Sequence, residues 1–221
     1  MLNSAIKNSI INLESLSSFF TREKKNDSVL FENELILSRK FSEKRNIDFS
    51  TGRYCARKAL DQLNLDSVEI LIGVNREPLW PEGIVGSISH CDSLIGAIVA
   101  KIENYTSIGL DIEEIGKIEK SLWSLLFTKS EISFLSGLSV KDCGLFSTVF
   151  FSMKESFYKL QYPLTNMFLD FKDVEIEFYL DEYYLTIINT NSSFKFLSPI
   201  KIEYKICNNC VITYCVIAKG D

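Results

Sequence analysis

Between residues 41 and 64 small or apolar side chains recur at Gly52, Ala56, Ala59, Leu60 and Leu63, the spacing of one helical face. The helix they predict carries Arg53 and Arg57 one turn apart on another face. A turn-rich stretch, VNREPLWPEGIVGSISHCDS, follows, and then the apolar run LIGAIVAKI at 94–102 reads as a buried strand by its length and β-branching. TSIGLDIEEI reads as another. Thr128 with Glu131 three residues on is the signature of a capping box opening a helix. In residues 145–160 Phe146, Val149, Phe150, Met153, Phe157 and Leu160 form one amphipathic stripe. The last third, VEIEFYLDEYYLTII and IKIEYKICNNCVITYCVIAK, alternates in period two and predicts antiparallel strands. IGAIVAK (95–101) and TYCVIAK (213–219) resemble each other, which suggests two related α+β halves, residues 1–104 and 105–221.

Composition narrows the classes. A chain of 221 residues, 46% hydrophobic, can bury one sizeable core or two small ones, and with 4 prolines and 10 glycines it shows no long flexible linker. A net charge of −5 excludes nucleic-acid binding by bulk positive charge, so any anion must meet a local patch. The first twenty residues hold a single Lys, and Glu14 interrupts their apolar run, so neither a signal peptide nor a membrane span is expected. The expectation is a cytoplasmic protein with six reduced cysteines. CNNC at 207–210 has the spacing of half a zinc site, but there is one histidine and no second such pair, and a tight turn between two strands is the preferred reading.

The candidate chemistry begins in IGLDIEEI, residues 108–115. Residues two apart on a strand share a face, so Asp111 and Glu113 form a two-carboxylate comb suited to a hard divalent cation; a solvated strand edge would show the same pattern. On the helix 145–160, Ser152, Glu155 and Lys159 share a polar stripe, readable also as a surface ion pair. Residues 39–58 hold Arg39, Lys40, Lys44, Arg45, Arg53, Arg57 and Lys58 against Glu43 and Asp48, a local +5 in a chain of −5. That cluster suits a nucleotide phosphate, or is a solvated helix face. In GSISHCDS, Ser87, Ser89 and His90 could donate to an anion in a turn, and no partner order for nucleophilic catalysis stands near His90.

GRYCARKAL, REPLWPEGIVGSISH, IGLDIEEI and FSMKESFYK, in this order, are similar to the motifs of the 4′-phosphopantetheinyl transferase superfamily, in its Sfp-like class and the enterobactin synthase component D branch. The match runs from about residue 35 to 180. It implies a pseudo-dimer of two α+β halves with the active site between them. It implies transfer of the phosphopantetheine arm of coenzyme A to a serine of an apo carrier-protein domain, with release of adenosine 3′,5′-bisphosphate. The carriers would belong to nonribosomal peptide or polyketide synthases, as in siderophore assembly, and the enzyme would be a monomer. By the same resemblance Asp111, Glu113 and Glu155 are the ligands of Mg²⁺ (or Mn²⁺), and Lys159 reaches the pyrophosphate. Arg53, Ser89 and His90 hold the coenzyme's phosphates, and Arg76 lies near the adenine. Leu125, Phe127 and residues 132–138 are candidates for the carrier surface or for core.

Two rivals remain: a non-catalytic relative that keeps the nucleotide site, and a metal phosphohydrolase using the same carboxylates. Without metal, the end of the 106–115 strand is expected to be the most electrostatically strained place in the chain.

Overall fold

A computed structural model describes Ile11, residues 15–188 and residues 199–220. Most of the segment behind the expectation of no signal peptide or span therefore lies outside the described residues. The chain divides into two compact units, Met1–Thr106 with Ala218–Asp221, and Ser107–Ile217.

The first unit is a three-stranded antiparallel sheet under a long helix. Its strands are β1 (Leu16–Thr21), β2 (Ile84–His90) and β3 (Ile95–Lys101), in the order β1-β3-β2. A short helix α1 (Glu32–Ser38) leads into α2 (Glu43–Asp61), which Ser42 caps by accepting from the Arg45 N–H. The small face expected on α2 is the one buried: Cys55, Ala56, Ala59 and Leu60 pack on Ile95, Ala97 and Val99 of β3. Small residues let the helix sit close, and Gly52 brings its backbone within van der Waals reach of Ile88 on β2.

The predicted turn-rich stretch is corrected in part, because Ile84–His90 within it is a strand. Its glycine and serines dilute the β signal in the sequence. The ladder to β3 nonetheless satisfies its backbone, and Ile84 and Ile88 join the core.

The second unit begins with β4 (Tyr105–Glu114), whose first two residues belong to the first unit. Helices α3 (Trp123–Leu126), α4 (Lys129–Ser136) and α5 (Val140–Thr165) follow, then β5 (Val174–Tyr179), β6 (Glu182–Ile187), β7 (Ile200–Cys207) and β8 (Cys210–Ala218). The sheet order is β4-β8-β7-β6-β5. The Thr128/Glu131 capping box is present at the start of α4. Helix α5 is longer than the predicted 145–160: Ser139 caps its start, and Asn166, left-handed at φ 53°, ends it. Its stripe of Val149, Phe150, Met153, Phe157 and Leu160 packs on Leu185, Ile202, Val211 and Cys215. Phe127, a candidate for the carrier surface, is core instead, set edge-on to Trp123, whereas Leu125 and Phe134 are exposed.

CNNC forms the β7–β8 turn, with Cys207 and Cys210 directly opposite in register and Asn208 left-handed. Neither cysteine is in a disulfide. In each unit the chain runs strand, helices, then antiparallel strands, two in the first and four in the second, and the first strand lies beside the last: β1 beside β3, and β4 beside β8. No helix among the described residues is long and apolar enough to cross a membrane.

Candidate functional site

The glycine of the I-G-L-D-I-E-E-I stretch decides where the chemistry sits. A Cβ at Gly109 would lie 1.8 Å from the carbonyl oxygen of Ser156, so only glycine lets the backbone of α5 rest against β4 at this point. Hydrogen bonds fix the two elements along their length. Ser107 Oγ donates to the Leu160 carbonyl (2.6 Å), Ser152 Oγ to Asp111 Oδ2 (2.8 Å), and the Gly116 N–H to Thr148 Oγ1 (3.0 Å). From β8, Thr213 Oγ1 donates to the Ser152 carbonyl at 2.8 Å. The face of α5 that carries Ser152, Glu155 and Lys159 is thereby held over the strand that carries Asp111 and Glu113.

Asp111 is 3% exposed, which removes the solvated-edge reading of this residue. Lys159 Nζ donates to its other oxygen, Oδ1, at 2.6 Å, so the buried carboxylate has a cation and a hydroxyl as partners. Glu113 is half-buried, and its carboxyl is pushed up to about 7, first by burial, then by Asp111, with Glu155 and Glu114 adding to the rise and Lys159 opposing it. Glu155 is also raised, chiefly by burial; Lys159 counters this and Asp111 adds to it. Asp111 thus acts on both glutamates, and Glu155 on Glu113, in a poorly hydrated space that the Lys159 ammonium shares.

Three carboxylates closed around an ion in advance are not what the structure shows. Among the described residues no three His, Cys, Asp or Glu side chains are gathered as a ready metal cluster, and Asp111 is engaged by Ser152 and Lys159. The donor set nevertheless fits a hard divalent cation. All three offer oxygen donors, and Asp111 makes both glutamates harder to ionise while Glu155 does the same to Glu113, a strain that a cation would relieve. Beside Glu155, Tyr158, Phe168, Leu169 and Phe171 line a cavity of about 180 Å³ with a mainly apolar wall.

The phosphate candidates lie on the first unit and separate into two kinds. Arg53 is buried: Nε donates to the Ile70 carbonyl (2.5 Å), Nη2 donates to the Leu71 carbonyl (3.2 Å), and the guanidinium lies over the Phe49 ring at 4.4 Å. Burial lowers its pKa to about 10. In this structure Arg53 anchors the 70–71 segment through Nε and Nη2. Arg57 is likewise spent on structure, its Nη1 donating to both oxygens of the fully buried Glu34 at 2.8 and 3.0 Å.

His90 is different. It ends β2 with its side chain 35% exposed, and Nδ1 lies 3.7 Å from Oδ2 of the buried Asp48. Lys24, which sequence reasoning passed over, reaches the other oxygen of Asp48 at 3.4 Å. Lys24, Lys44, Ile47, Asp48 and Asp92 line a cavity of about 320 Å³. Ser89 is buried in the β2–β3 ladder opposite Gly96. Arg76 is exposed on a turn, left-handed at φ 70°, with its N–H bonded to the Gly73 carbonyl at 3.1 Å. The signal for Lys24 was available in TREKKND, but a basic pair in a loop has no periodicity to mark which residue turns inward.

Comparison with known proteins bears on both units. Residues 31–100 match the family model of the 4′-phosphopantetheinyl transferase N-terminal domain, and residues 107–215 match that of the 4′-phosphopantetheinyl transferase superfamily. The 4′-phosphopantetheinyl transferase Svp of Streptomyces mobaraensis is 37% identical over 67% of this chain and 61% of its own. The 4′-phosphopantetheinyl transferase PptT of Mycobacterium tuberculosis is 32% identical over 76% of this chain and 70% of its own. Enterobactin synthase component D of Escherichia coli is 37% identical over 58% of this chain and 61% of its own. The match spans about three fifths of the length of the Streptomyces and Escherichia relatives. Among solved structures, the holo-[acyl-carrier-protein] synthase of Thermotoga maritima aligns with a TM-score of 0.42 at 18% identity, covering 50% of this chain and 61% of its own. On its two family matches and its similarity to the Mycobacterium enzyme over more than two thirds of that protein, this chain belongs to the 4′-phosphopantetheinyl transferase superfamily.

Proposed function

We propose that this protein transfers the 4′-phosphopantetheine group of coenzyme A to a serine hydroxyl of an apo carrier protein, with Mg²⁺ as cofactor (Mn²⁺ as substitute). The observation that carries the reading is the buried Asp111, held by Ser152 and Lys159, with Glu113 and Glu155 beside it and both raised in part by its charge, inside the segment that matches the superfamily. Asp111, Glu113 and Glu155 would hold the ion, which when bound supplies charge stabilisation at the pyrophosphate. The chain's own groups do the rest. Lys159 offers an ammonium to the same phosphates, a charge worth more in a water-poor site than in solution.

In the reaction the serine oxygen bonds to the phosphorus that carries pantetheine. The bond from that phosphorus to the bridging oxygen breaks, adenosine 3′,5′-bisphosphate leaves with the electron pair, and the serine proton passes to a base. Glu155, whose carboxyl is made more basic chiefly by burial, is suited to accept that proton through an oxygen not used for the ion. On the first unit, His90 and Ser89, with Lys24, Lys44 and Arg76, supply the polar and basic surface for the phosphates of the nucleotide. In this proposal carrier domains of nonribosomal peptide or polyketide synthases are the partners and a cytoplasmic monomer is the acting form; the similarity to enterobactin synthase component D supports a role in such a synthase.

The test is to incubate the protein with Mg²⁺, coenzyme A and an apo peptidyl or aryl carrier domain and to follow the carrier's mass. A gain of one phosphopantetheine that disappears in Asp111→Ala is expected. Cleavage of coenzyme A with no carrier present would establish the phosphohydrolase instead, and binding of coenzyme A without either product the non-catalytic relative.

A further inference from the structure

Lys154 stands immediately before Glu155 on α5, yet it is 2% exposed and belongs to neither the acidic cluster nor the apolar stripe. Its ammonium has three N–H donors, and three acceptors from three different elements take them. They are Glu131 Oε2 on α4 (2.7 Å), the Leu126 carbonyl at the end of α3 (3.1 Å) and the Phe171 carbonyl in the turn before β5 (2.7 Å). Glu131 is equally spent. Its Oε2 also accepts from the Thr128 N–H (2.8 Å), and its Oε1 from the Ile176 N–H of β5 (2.9 Å). A buried charge is tolerated only when paired and fully hydrogen-bonded, and this pair is.

The first unit contains the same device. Glu34, third in α1, accepts from the Phe31 and Ile70 N–H groups and from Arg57, twenty-three residues on, the separation that also divides Glu131 from Lys154. The shared pattern shows what the pair does for the fold: it ties a short helix and an extended segment, at Ile70 in one unit and Ile176 in the other, to one place on the long helix. In the second unit the place tied is the turn of α5 that carries Glu155. The Phe171 carbonyl adds a link that Arg57 does not have, to the 168–171 segment walling the cavity beside Glu155.

We propose that Lys154 and Glu131 are positioning residues, which hold the Glu155 turn of α5 in register with Asp111 and so set the affinity of the carboxylate cluster for its divalent cation. The inference rests on the function proposed above. Groups that orient a metal ligand from behind change metal affinity or activity by 10- to 100-fold when removed.

The test compares wild type, Lys154→Met, the paired variant Glu131→Gln/Lys154→Met, and Glu34→Gln as a control in the other unit. Each is titrated with Mg²⁺ by calorimetry in the presence of coenzyme A, assayed for carrier mass gain across Mg²⁺ concentrations, and melted by circular dichroism. All variants are expected to melt lower. Only those at Glu131 and Lys154 should need about tenfold or more Mg²⁺ for half-saturation, in binding and in turnover, while Glu34→Gln keeps the wild-type value. The paired variant leaves no lone buried charge; should it still not fold, Lys154→Arg, which keeps the charge but alters its geometry, takes its place with the same two outcomes. A folded variant with wild-type Mg²⁺ dependence overturns the proposal and reduces the pair to fold stability. A wild type that transfers nothing to any carrier overturns the function itself, a distinct result.

Discussion

Glu113 makes the metal-free protein less stable as pH rises, and the size of the effect follows from its surroundings. Its folded pKa is about 7, against an ordinary value of 4.5, so between those values the folded chain holds a proton that the unfolded chain has lost. Stability then falls with rising pH across the window from about 4.5 to 7, since the unfolded state binds fewer protons there. At about 1.4 kcal/mol per unit the full shift would correspond to roughly 3 kcal/mol. Glu113 is only half-buried, and water screens part of this, leaving about 1–2 kcal/mol. For a chain of this length that is a fall in Tm of about 2–8 °C. The assay is urea or thermal unfolding at pH 5 and pH 7.5 with a chelator present, for wild type and Glu113→Gln. Wild type should lose about 1–2 kcal/mol more than the variant over that interval, and millimolar Mg²⁺ at pH 7.5 should restore wild type more than the variant. Equal pH slopes in the two proteins would refute the reasoning, since they would mean that Glu113 ionises at no cost in the fold.

Gly109→Ala should cost about 3 kcal/mol or more and abolish carrier modification, because the new methyl meets main chain at Ser156 and the helix must move off the strand; chemical unfolding and the mass assay read both. Glu34→Gln should destabilise the first unit by about 3–5 kcal/mol, read by urea unfolding, as it leaves Arg57 buried without its carboxylate. Ser152→Ala should cost about 1–2 kcal/mol in stability and raise the Mg²⁺ requirement, because Asp111 Oδ2 loses its buried donor; a carrier assay over a range of Mg²⁺ checks the second part.

The elements read correctly from the sequence are those whose pattern is carried by apolar residues. β3, β4 and α5 each bury a continuous run or a stripe, and the burial they need is visible in their own residues. β2 was obscured because Ser87 and Ser89 are buried polar groups, which no alternation of apolar residues announces. The carboxylates were found by spacing along one strand and one helix, but their closeness depends on Gly109, whose meaning appears only when the carbonyl of Ser156 is seen against it. The burial of Arg53 was hidden for a related reason. A cation on a polar helix face looks the same in sequence whether water or another segment covers it, and here the carbonyls of residues 70 and 71 do. Lys154 had a signal that went unused: it lies at the helical spacing of Phe150 and Phe157, where a lysine must either break the core or find a buried acid.

The contact between Lys159 and Asp111 means that the cluster already has an occupant of the right charge. Any ion held through Oδ1 of Asp111 would have to displace a tethered ammonium, so uptake would exchange one partner of that oxygen for another while the first stays close by. Two consequences follow from the tether. The evicted ammonium cannot diffuse away, so its effective concentration taxes the affinity for every incoming ion. It is also released only when the newcomer has arrived, so the chain delivers its second positive charge to the neighbourhood in the same event that brings the first.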